Sequence, residues 1–217
     1  MLTANNIHKS YGDLQVLNGV SLEIRKSEIV SIVGSSGAGK STLLHILGTL
    51  EHADKGNLAI SDTEVSKLND RQISKFRNEK IGFVFQFHHL LPEFTAVENV
   101  CIPAFIKKNN KSESVSKAEY LLKELGLQDR LHHKPSELSG GEQQRVAVAR
   151  ALINEPAIIM ADEPSGNLDS ENSQQLHQLF IELRNKFKQT FIIVTHNKDL
   201  AEIADRKLIM SDGQIIN

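Results

Sequence analysis

The chain of 217 residues carries 27 acidic side chains against 25 lysines and arginines, which gives a formal charge of −2. Hydrophobic residues make up 40% and charged residues 24%, a composition that is typical of a globular domain and excludes an intrinsically disordered protein. The near-neutral balance argues against a protein that mainly binds nucleic acid, and the single cysteine, Cys101, cannot form an internal disulfide.

No uncharged run in the sequence approaches the about 20 apolar residues that a transmembrane helix needs. Residues 1–6 include neither a basic start nor an apolar core, so no secretory signal is expected. We therefore expect a chain that does not cross a membrane by itself but can be held at one by a partner.

Short apolar runs alternate with longer amphipathic stretches along most of the chain. The apolar runs predict strands at 20–24, 29–33, 81–85, 158–162, 191–194 and 207–210. Helices are predicted at 40–47, 73–80, 116–125, 140–154, 170–188 and 198–204. This alternation is typical of an α/β fold with a mostly parallel core sheet. Ser211-Asp212-Gly213 predicts a hairpin turn close to the C-terminus.

The region 87–136 differs from the rest because it contains no convincing strand. Its pattern is mainly helical. We therefore predict one domain over residues 1–217, with a helical subdomain inserted at about 87–136.

The segment 34–41, Gly-Ser-Ser-Gly-Ala-Gly-Lys-Ser, matches the phosphate-binding pattern G-x-x-x-x-G-K-[ST] between a predicted strand and a predicted helix. Its glycines allow backbone N–H groups to converge on phosphate oxygens at the positive end of the helix. Lys40 is expected to neutralise the β- and γ-phosphates, and the Ser41 hydroxyl to hold Mg²⁺. The segment therefore predicts an ATP site.

Two carboxylates, Asp162 and Glu163, follow the apolar run at 158–161. Neighbouring side chains on a strand point in different directions, so the two acids can have different roles. Asp162 is expected to reach Mg²⁺ directly or through water, and Glu163 to polarise the attacking water.

The segment 138–144, Leu-Ser-Gly-Gly-Glu-Gln-Gln, is the most specific in the chain. Ser139 and Glu142 form an S-x-x-E capping box at the start of a predicted helix. Capping does not explain two consecutive glycines in the first turn, where glycine weakens a helix. Because unobstructed N–H groups suit a phosphate, Gly140 and Gly141 predict a second phosphate contact.

With these motifs in this order, the sequence closely resembles the ABC-transporter ATPase family over essentially its whole length. The resemblance implies a P-loop cassette in which an antiparallel N-terminal β part accompanies the parallel core sheet and the helical subdomain. It implies that Tyr11 stacks on adenine and that Gln86 is the Q-loop glutamine. The other ATP-binding positions are those of the Walker A segment: Gly34, Ser35, Ser36, Gly37, Ala38, Gly39, Lys40, Ser41 and Thr42.

The same resemblance implies the catalytic, metal and inter-subunit roles. The catalytic residues would be Glu163, the switch histidine His196 and Lys40. The Mg²⁺ ligands would be Ser41, Gln86 and Asp162. Two cassettes of this family pack head to tail around ATP, so a third group would contact the ATP of the other copy: Ser139, Gly140, Gly141 and Asp169.

A single cassette resembles the motor of a membrane transporter rather than the coiled-coil or two-cassette relatives. We expect an ATP-sandwich homodimer on integral membrane permease subunits, peripheral to the cytoplasmic face of the inner membrane, with no nucleic-acid partner. Residues 82–100 are most similar to ATPases that drive outer-membrane-directed lipoproteins from the inner membrane to a periplasmic carrier. A macrolide or peptide exporter and a cell-division regulatory ATPase that moves no cargo remain alternatives.

Three apolar residues in this stretch, Leu90, Leu91 and Phe94, have two possible roles. They either fill the small core of the helical subdomain or bind a helix of the membrane subunit.

Overall fold

The computed structural model describes residues 1–216, and Asn217, the last residue of the predicted domain, lies outside them. The strands are β1 (Leu2–Tyr11), β2 (Leu14–Ile24), β3 (Ile29–Val33), β4 (Lys55–Ile60), β5 (Thr63–Glu64), β6 (Ile81–Phe85), β7 (Ile158–Asp162), β8 (Thr190–Val194), β9 (Arg206–Ser211) and β10 (Gln214–Ile215). The helices are α1 (Lys40–Leu47), α2 (Asp70–Lys80), α3 (Ala96–Ile106), α4 (Lys111–Glu124), α5 (Gly140–Leu152), α6 (Ser170–Phe187) and α7 (Lys198–Glu202).

The predicted core sheet is confirmed, with strand order β10-β9-β3-β8-β7-β6. Its strands pair in parallel except for β10, which returns antiparallel to β9. The predicted turn at Asp212 and Gly213 joins these last two strands, and both residues have positive φ. Strands β3, β7 and β8 are buried on both faces, which explains why each is a continuous apolar run in the sequence.

Side chains that alternate along these buried strands divide between two hydrophobic cores. In β8, Phe191 and Ile193 pack into the core shared with α3, α4, α5 and α6. Ile192 and Val194 pack into the other core, with α1 and the N-terminal strands. The sheet is therefore held on both sides, and its carboxyl edge is fixed relative to both layers.

The antiparallel N-terminal part is also confirmed, as a separate sheet with order β2-β1-β4-β5. Only residues 20–24 of it were predicted as a strand. The sequence pattern did not reveal β1, because its register with β2 shifts between Ala4 and Ile7, where Asn6 has a φ of 52°, and again between Lys9 and Ser10. Each irregularity interrupts the two-residue alternation by which a strand is recognised in a sequence.

The region 87–136 contains α3 and α4 together with two short 3-10 turns. Helix α3 was not predicted individually, although its start has a capping box between Thr95 and Glu98. Helix α4 begins at Lys111 rather than at 116, because the Asn110 side chain caps it. Among the described residues, no helix combines the length and apolar character required to span a membrane.

Candidate ATP site

The core sheet brings the predicted catalytic residues to one edge. Its parallel register aligns Phe85 with Asp162, and Asp162 with Val194. Gln86, Glu163 and His196 follow these strand ends, so all three emerge at the carboxyl edge. Strand β3 ends at the same edge, directly before the loop 34–39. Ligands of open α/β sheets bind at this edge.

The loop between β3 and α1 can adopt its shape only with glycine at two positions. A Cβ on Gly34 would lie 2.1 Å from the Met210 carbonyl oxygen. Gly39, the residue before α1, has a φ of 96° and packs its Cα against the Val16 carbonyl, where a Cβ would be 2.9 Å away. The two glycines therefore let the chain fold tightly over β9 and β2 and enter α1 at a fixed angle.

Helix α1 begins without a capping side chain and without an acidic residue in its first turn. Its leading N–H groups and positive dipole end are therefore available to an anion. The Lys40 ammonium donates to the carbonyl oxygens of Gly34, at 2.9 Å, and Ser35, at 2.8 Å. Lys40 thus lies over the loop, where it can exchange these carbonyls for phosphate oxygens.

Ser41 and Asp162 meet beside this loop, where the Ser41 hydroxyl donates to Asp162 Oδ1 over 3.3 Å. Burial raises the pKa of Asp162, and the bond from Ser41 offsets part of that rise. Two hard oxygen donors, one of them a carboxylate whose charge is poorly solvated, fit Mg²⁺. The third predicted ligand, Gln86, is oriented by Asn167, since its Nε2 donates to Asn167 Oδ1 over 2.9 Å.

Glu163 and His196 form a direct pair, with His196 Nδ1 2.8 Å from Glu163 Oε1. The other carboxylate oxygen, Oε2, accepts from Thr195 Oγ1 at 3.2 Å and from the His196 backbone N–H at 3.3 Å. The Glu163 side chain is 19% exposed and that of His196 76%, so the carboxylate is largely enclosed and the imidazole ring is open to solvent.

The predicted signature begins α5, and a complete capping box forms its first turn. Ser139 Oγ accepts from the Glu142 N–H at 3.2 Å, and Glu142 Oε2 accepts from the Ser139 N–H at 2.8 Å. The other Glu142 oxygen accepts from Arg130 Nε at 2.9 Å. Those bonds, chiefly the one from the Ser139 N–H, lower the pKa of Glu142.

The two glycines of the signature have different surroundings within the chain. A Cβ on Gly141 would lie 2.1 Å from Asn172 Oδ1 of α6, so any side chain there would displace the Asn172 amide that bonds to Asp169. A Cβ on Gly140 would meet only Leu168, at an ordinary contact distance of 3.7 Å. Packing in one copy therefore explains Gly141, whereas Gly140 keeps an open surface.

Two further residues that the sequence predicted at the site, Asp169 and Tyr11, form hydrogen bonds within the chain. Asp169 caps α6 by accepting from the Asn172 N–H at 2.8 Å and from its side-chain amide at 2.7 Å, and these bonds lower the pKa of Asp169. Tyr11 is 48% exposed at the end of β1, and its hydroxyl donates to Glu51 over 2.6 Å. Lys9 lies 5.4 Å from the centre of its ring.

Three polar residues at the site were given no role in the sequence prediction, although one of them, Gln144, belongs to the signature segment 138–144. Thr195 holds the Glu163 carboxylate, and Asn167 exchanges two hydrogen bonds with Gln86. The third, Gln144, has its amide against the Pro164 carbonyl at 2.7 Å. Gln144 could have been found in the sequence, because it is a polar residue in line with Val148 and Leu152 on the buried face of α5.

Comparisons with known proteins show the family of the chain. The family model for ABC transporters matches residues 17–166. The lipoprotein-releasing system ATP-binding protein LolD of Cytophaga hutchinsonii is 59% identical over 216 residues, which span 100% of this chain and 99% of that protein. The protein of the same name in Bacteroides fragilis is 60% identical, with 100% of both chains covered. The ATP-binding cassette MJ0796, solved as a dimer bound to ADP and Pi, matches with a TM-score of 0.90 at 39% identity, over 100% of this chain and 97% of that one.

Proposed function

The chain belongs to the ABC transporter family as an ATP-binding, ATP-hydrolysing subunit, and from this premise we propose that its hydrolysis cycle powers the release of lipoproteins from a membrane. The observation that supports lipoproteins as the cargo is the full-length identity of 57–60% to four relatives named for a lipoprotein-releasing system. Those names favour neither a macrolide exporter nor a cell-division regulator. The cargo would be lipoproteins destined for the outer membrane, passed from the inner membrane to a periplasmic carrier.

The phosphates of ATP would bind the loop 34–39 and the first turn of α1. The uncapped N–H groups of α1 support this placement, as does Lys40, which already lies over the loop. Tyr11 would stack on the adenine, using the exposed part of its ring. An aromatic ring stacked on a base is worth about 1–3 kcal/mol, which is enough to matter for affinity.

Mg²⁺ would be held by Ser41 and Asp162, whose oxygens already meet, and by the side-chain oxygen of Gln86, whose Nε2 can keep its bond to Asn167. Bound there, the ion would neutralise charge on the phosphates. It would also remove the burial penalty on the Asp162 carboxylate, which supports this assignment.

Glu163 would accept the proton of the attacking water. Its Oε2 is held by Thr195 and by the backbone of His196, so the carboxylate is already oriented. His196 would contact the γ-phosphate through its exposed imidazole ring.

A second copy of the chain would complete the site. Ser139, Gly140 and Gly141 would donate to the ATP held by the other copy, next to Asp169. The open surface at Gly140 supports this role, because no packing among residues 1–216 accounts for that glycine. The dimeric assembly of MJ0796 in its ADP-bound state supports the same arrangement.

Replacing Glu163 tests the ATPase and the dimer together. Glu163→Gln keeps the shape of the side chain but cannot take a proton, so hydrolysis should fall ~10²–10⁴-fold while ATP still binds. Size-exclusion chromatography with saturating ATP should then show a stable dimer. A monomer under those conditions, with ATP bound, would contradict the sandwich; unchanged hydrolysis would contradict the role of Glu163.

We infer that the membrane subunit binds a groove of about 460 Å³ between the edge strand β6 and helices α2, α3 and α5. Exposed apolar side chains flank it, including Leu50 and Ile106, at 45% and 65% exposure. Two guanidiniums line it, and among the described residues neither is paired with a carboxylate: Arg77 donates to the Thr49 carbonyl, and Arg150 to those of His88 and His89. The groove therefore suits an apolar segment that carries an acidic residue.

The three residues considered for docking, Leu90, Leu91 and Phe94, differ in how far they are buried. Leu90 packs half-buried against the core of the helical region, whereas Leu91 and Phe94 are 44% and 41% exposed. Leu91 and Phe94 remain candidates for the same contact, and Leu90 belongs to the core.

A pair of matched variants tests the groove. Ile106→Asp should abolish stimulation of the ATPase by the co-purified permease and leave hydrolysis by the isolated chain within about two-fold of its original rate. Ile216→Asp, at a similar 61% exposure but outside the groove, should retain stimulation. Full stimulation of Ile106→Asp would place the membrane subunit elsewhere.

A further inference from the structure

Gln144 is a glutamine in the second turn of α5 and is only 1% exposed. Its Nε2 donates to the Pro164 carbonyl oxygen at 2.7 Å and approaches that of Phe85 at 3.4 Å. The first distance lies at the short end of the normal range for a hydrogen bond, and the second is slightly longer than that range. One side-chain amide therefore links α5 to the ends of both β7 and β6.

The two carbonyls that Gln144 contacts lie next to the site residues along the chain. Pro164 directly follows Glu163, the proposed base, and Phe85 directly precedes Gln86. Helix α5 itself begins at Ser139, which is proposed to contact the ATP of a second copy. A displacement of α5 caused by that ATP would therefore move the backbone on which Glu163 and Gln86 stand.

The acceptor end of the same side chain is buried without a partner. Among residues 1–216, Gln144 Oε1 has no hydrogen-bond donor. A buried acceptor left unsatisfied costs free energy, and an apolar side chain of the same length would avoid that cost. The bond to the Pro164 carbonyl accounts for the Nε2 end of the side chain, but no contact among the described residues accounts for Oε1, which can take a donor from a loop in another state.

We propose that Gln144 is a positioning residue that couples the signature helix to the loops carrying Glu163 and Gln86, so that engagement of the second copy's ATP sets the geometry of this copy's own catalytic site. The inference rests on the proposed ATPase function and on the sandwich dimer. Its physical basis is the direct bond to Pro164, through which α5 and the base move together.

The test compares Gln144→Met with a matched change, Gln189→Met. Gln189 is also buried, at 5% exposure, and donates to a backbone carbonyl, that of Thr190 at 3.2 Å. It directly precedes β8, at the amino-terminal ends of the parallel strands and away from the carboxyl edge. Gln189 is therefore buried like Gln144 but does not contact the site. Each variant is assayed for kcat, for KM of ATP, and for the ATP-trapped dimer in the Glu163→Gln background.

We expect Gln144→Met to lower kcat by ~10–10²-fold, the size of effect that a small displacement of a catalytic group produces. KM for ATP and the trapped dimer should stay within about two-fold, and Gln189→Met should keep its kcat. Gln144→Leu also removes the donor, so it should show the same fall in kcat and provides the test if the methionine variant does not fold.

Three results would overturn the inference. The first is a kcat for the Gln144 variants within two-fold of the unmodified chain. The second is an equal loss of kcat in Gln189→Met, and the third is a parallel loss of kcat, ATP binding and dimer, which would indicate a purely structural role. An unmodified chain that does not hydrolyse ATP would instead overturn the proposed ATPase, and this inference with it.

Discussion

Helices α1 and α5 both begin at a proposed phosphate contact, but their first turns are built in opposite ways. Helix α1 follows Gly39, with no capping side chain and no acid in the first turn. Helix α5 follows Ser139, which forms a reciprocal capping box with Glu142. The first therefore has free donors and a bare dipole, whereas the second has part of its donors satisfied within the chain.

The difference matches the two tasks. The start of α1 would bind the nucleotide of its own chain, so leaving its donors free favours the ligand. The start of α5 would wait for a nucleotide brought by another copy, so it must be folded beforehand. Its capping box uses the N–H groups of Ser139 and Glu142 and leaves those of Gly140 and Gly141 to donate outward.

The largest effect is expected when α1 is given the acid that α5 has. Thr42 is the third residue of α1, the position that Glu142 occupies in α5. In Thr42→Glu, a carboxylate about 5 Å from a phosphate charge would cost about 3 kcal/mol at an effective dielectric constant of 20, so ATP affinity should fall by at least ~10²-fold. Fluorescent-nucleotide titration measures this loss.

The uncharged variant Thr42→Gln is the control, because it keeps the size of the new side chain without its charge. Its affinity should lie much closer to that of the original chain. Equal losses in the two variants would mean that crowding, and not the bare dipole of α1, limits the site.

A smaller effect is expected when the cap of α5 is kept but its charge is changed. Ser139→Asp preserves an excellent N-cap, so thermal stability should hold. The added carboxylate would face the phosphates of the second copy's ATP, and the trapped dimer should weaken by ~10–10²-fold in the Glu163→Gln background. ATP binding by the single chain should not change, as the same titration shows.

Ser139→Asn separates charge from shape, since asparagine caps equally well and is neutral. It should retain more dimer than Ser139→Asp. If both variants dimerise as the original does, the first turn of α5 does not contact nucleotide.

The parts of this structure that could be predicted from sequence are those set by local chemistry. Strands β3, β7 and β8 are buried on both faces, so their apolar runs identify them without knowledge of their neighbours. The loop 34–39 and the start of α5 are likewise continuous in sequence. Strand β1 was not predicted, because its bulges break the alternation of apolar and polar residues. The position of those bulges depends on the pairing of β1 with β2 and β4.

The pairings within the site depend on register between distant segments. Gln86 and Asn167 are 81 positions apart, and Thr195 and Glu163 are 32 apart. Each pair forms because parallel strands end side by side, which the sequence of either segment alone does not encode. Family resemblance predicted the roles of Glu163 and His196, but the direct contact between them comes from the fold.

The smallest expected effect is a difference between the two helix starts in how the free energy of unfolding depends on pH. The folded pKa of Glu142 is lowered, so its contribution to stability is present above the ordinary glutamate range and is lost as the pH falls through the folded pKa. The folded pKa of Asp162, beside α1, is raised by burial, so the folded state holds more protons. Its effect on stability therefore runs the other way: unfolding free energy declines as the pH rises from the ordinary aspartate range through the folded pKa.

Urea unfolding of two variants between pH 3 and pH 7 measures these slopes. Glu142→Gln should be less stable than the original at pH 7 by about 1 kcal/mol, the value of a helix cap, and the deficit should shrink in acid. Asp162→Asn should be at least as stable as the original at pH 7, with the advantage shrinking in acid, while losing its Mg²⁺-dependent hydrolysis. A destabilised Asp162→Asn chain would mean that the carboxylate supports the fold, and the α1 site would then be built for stability before its ligand arrives, just as the start of α5 is.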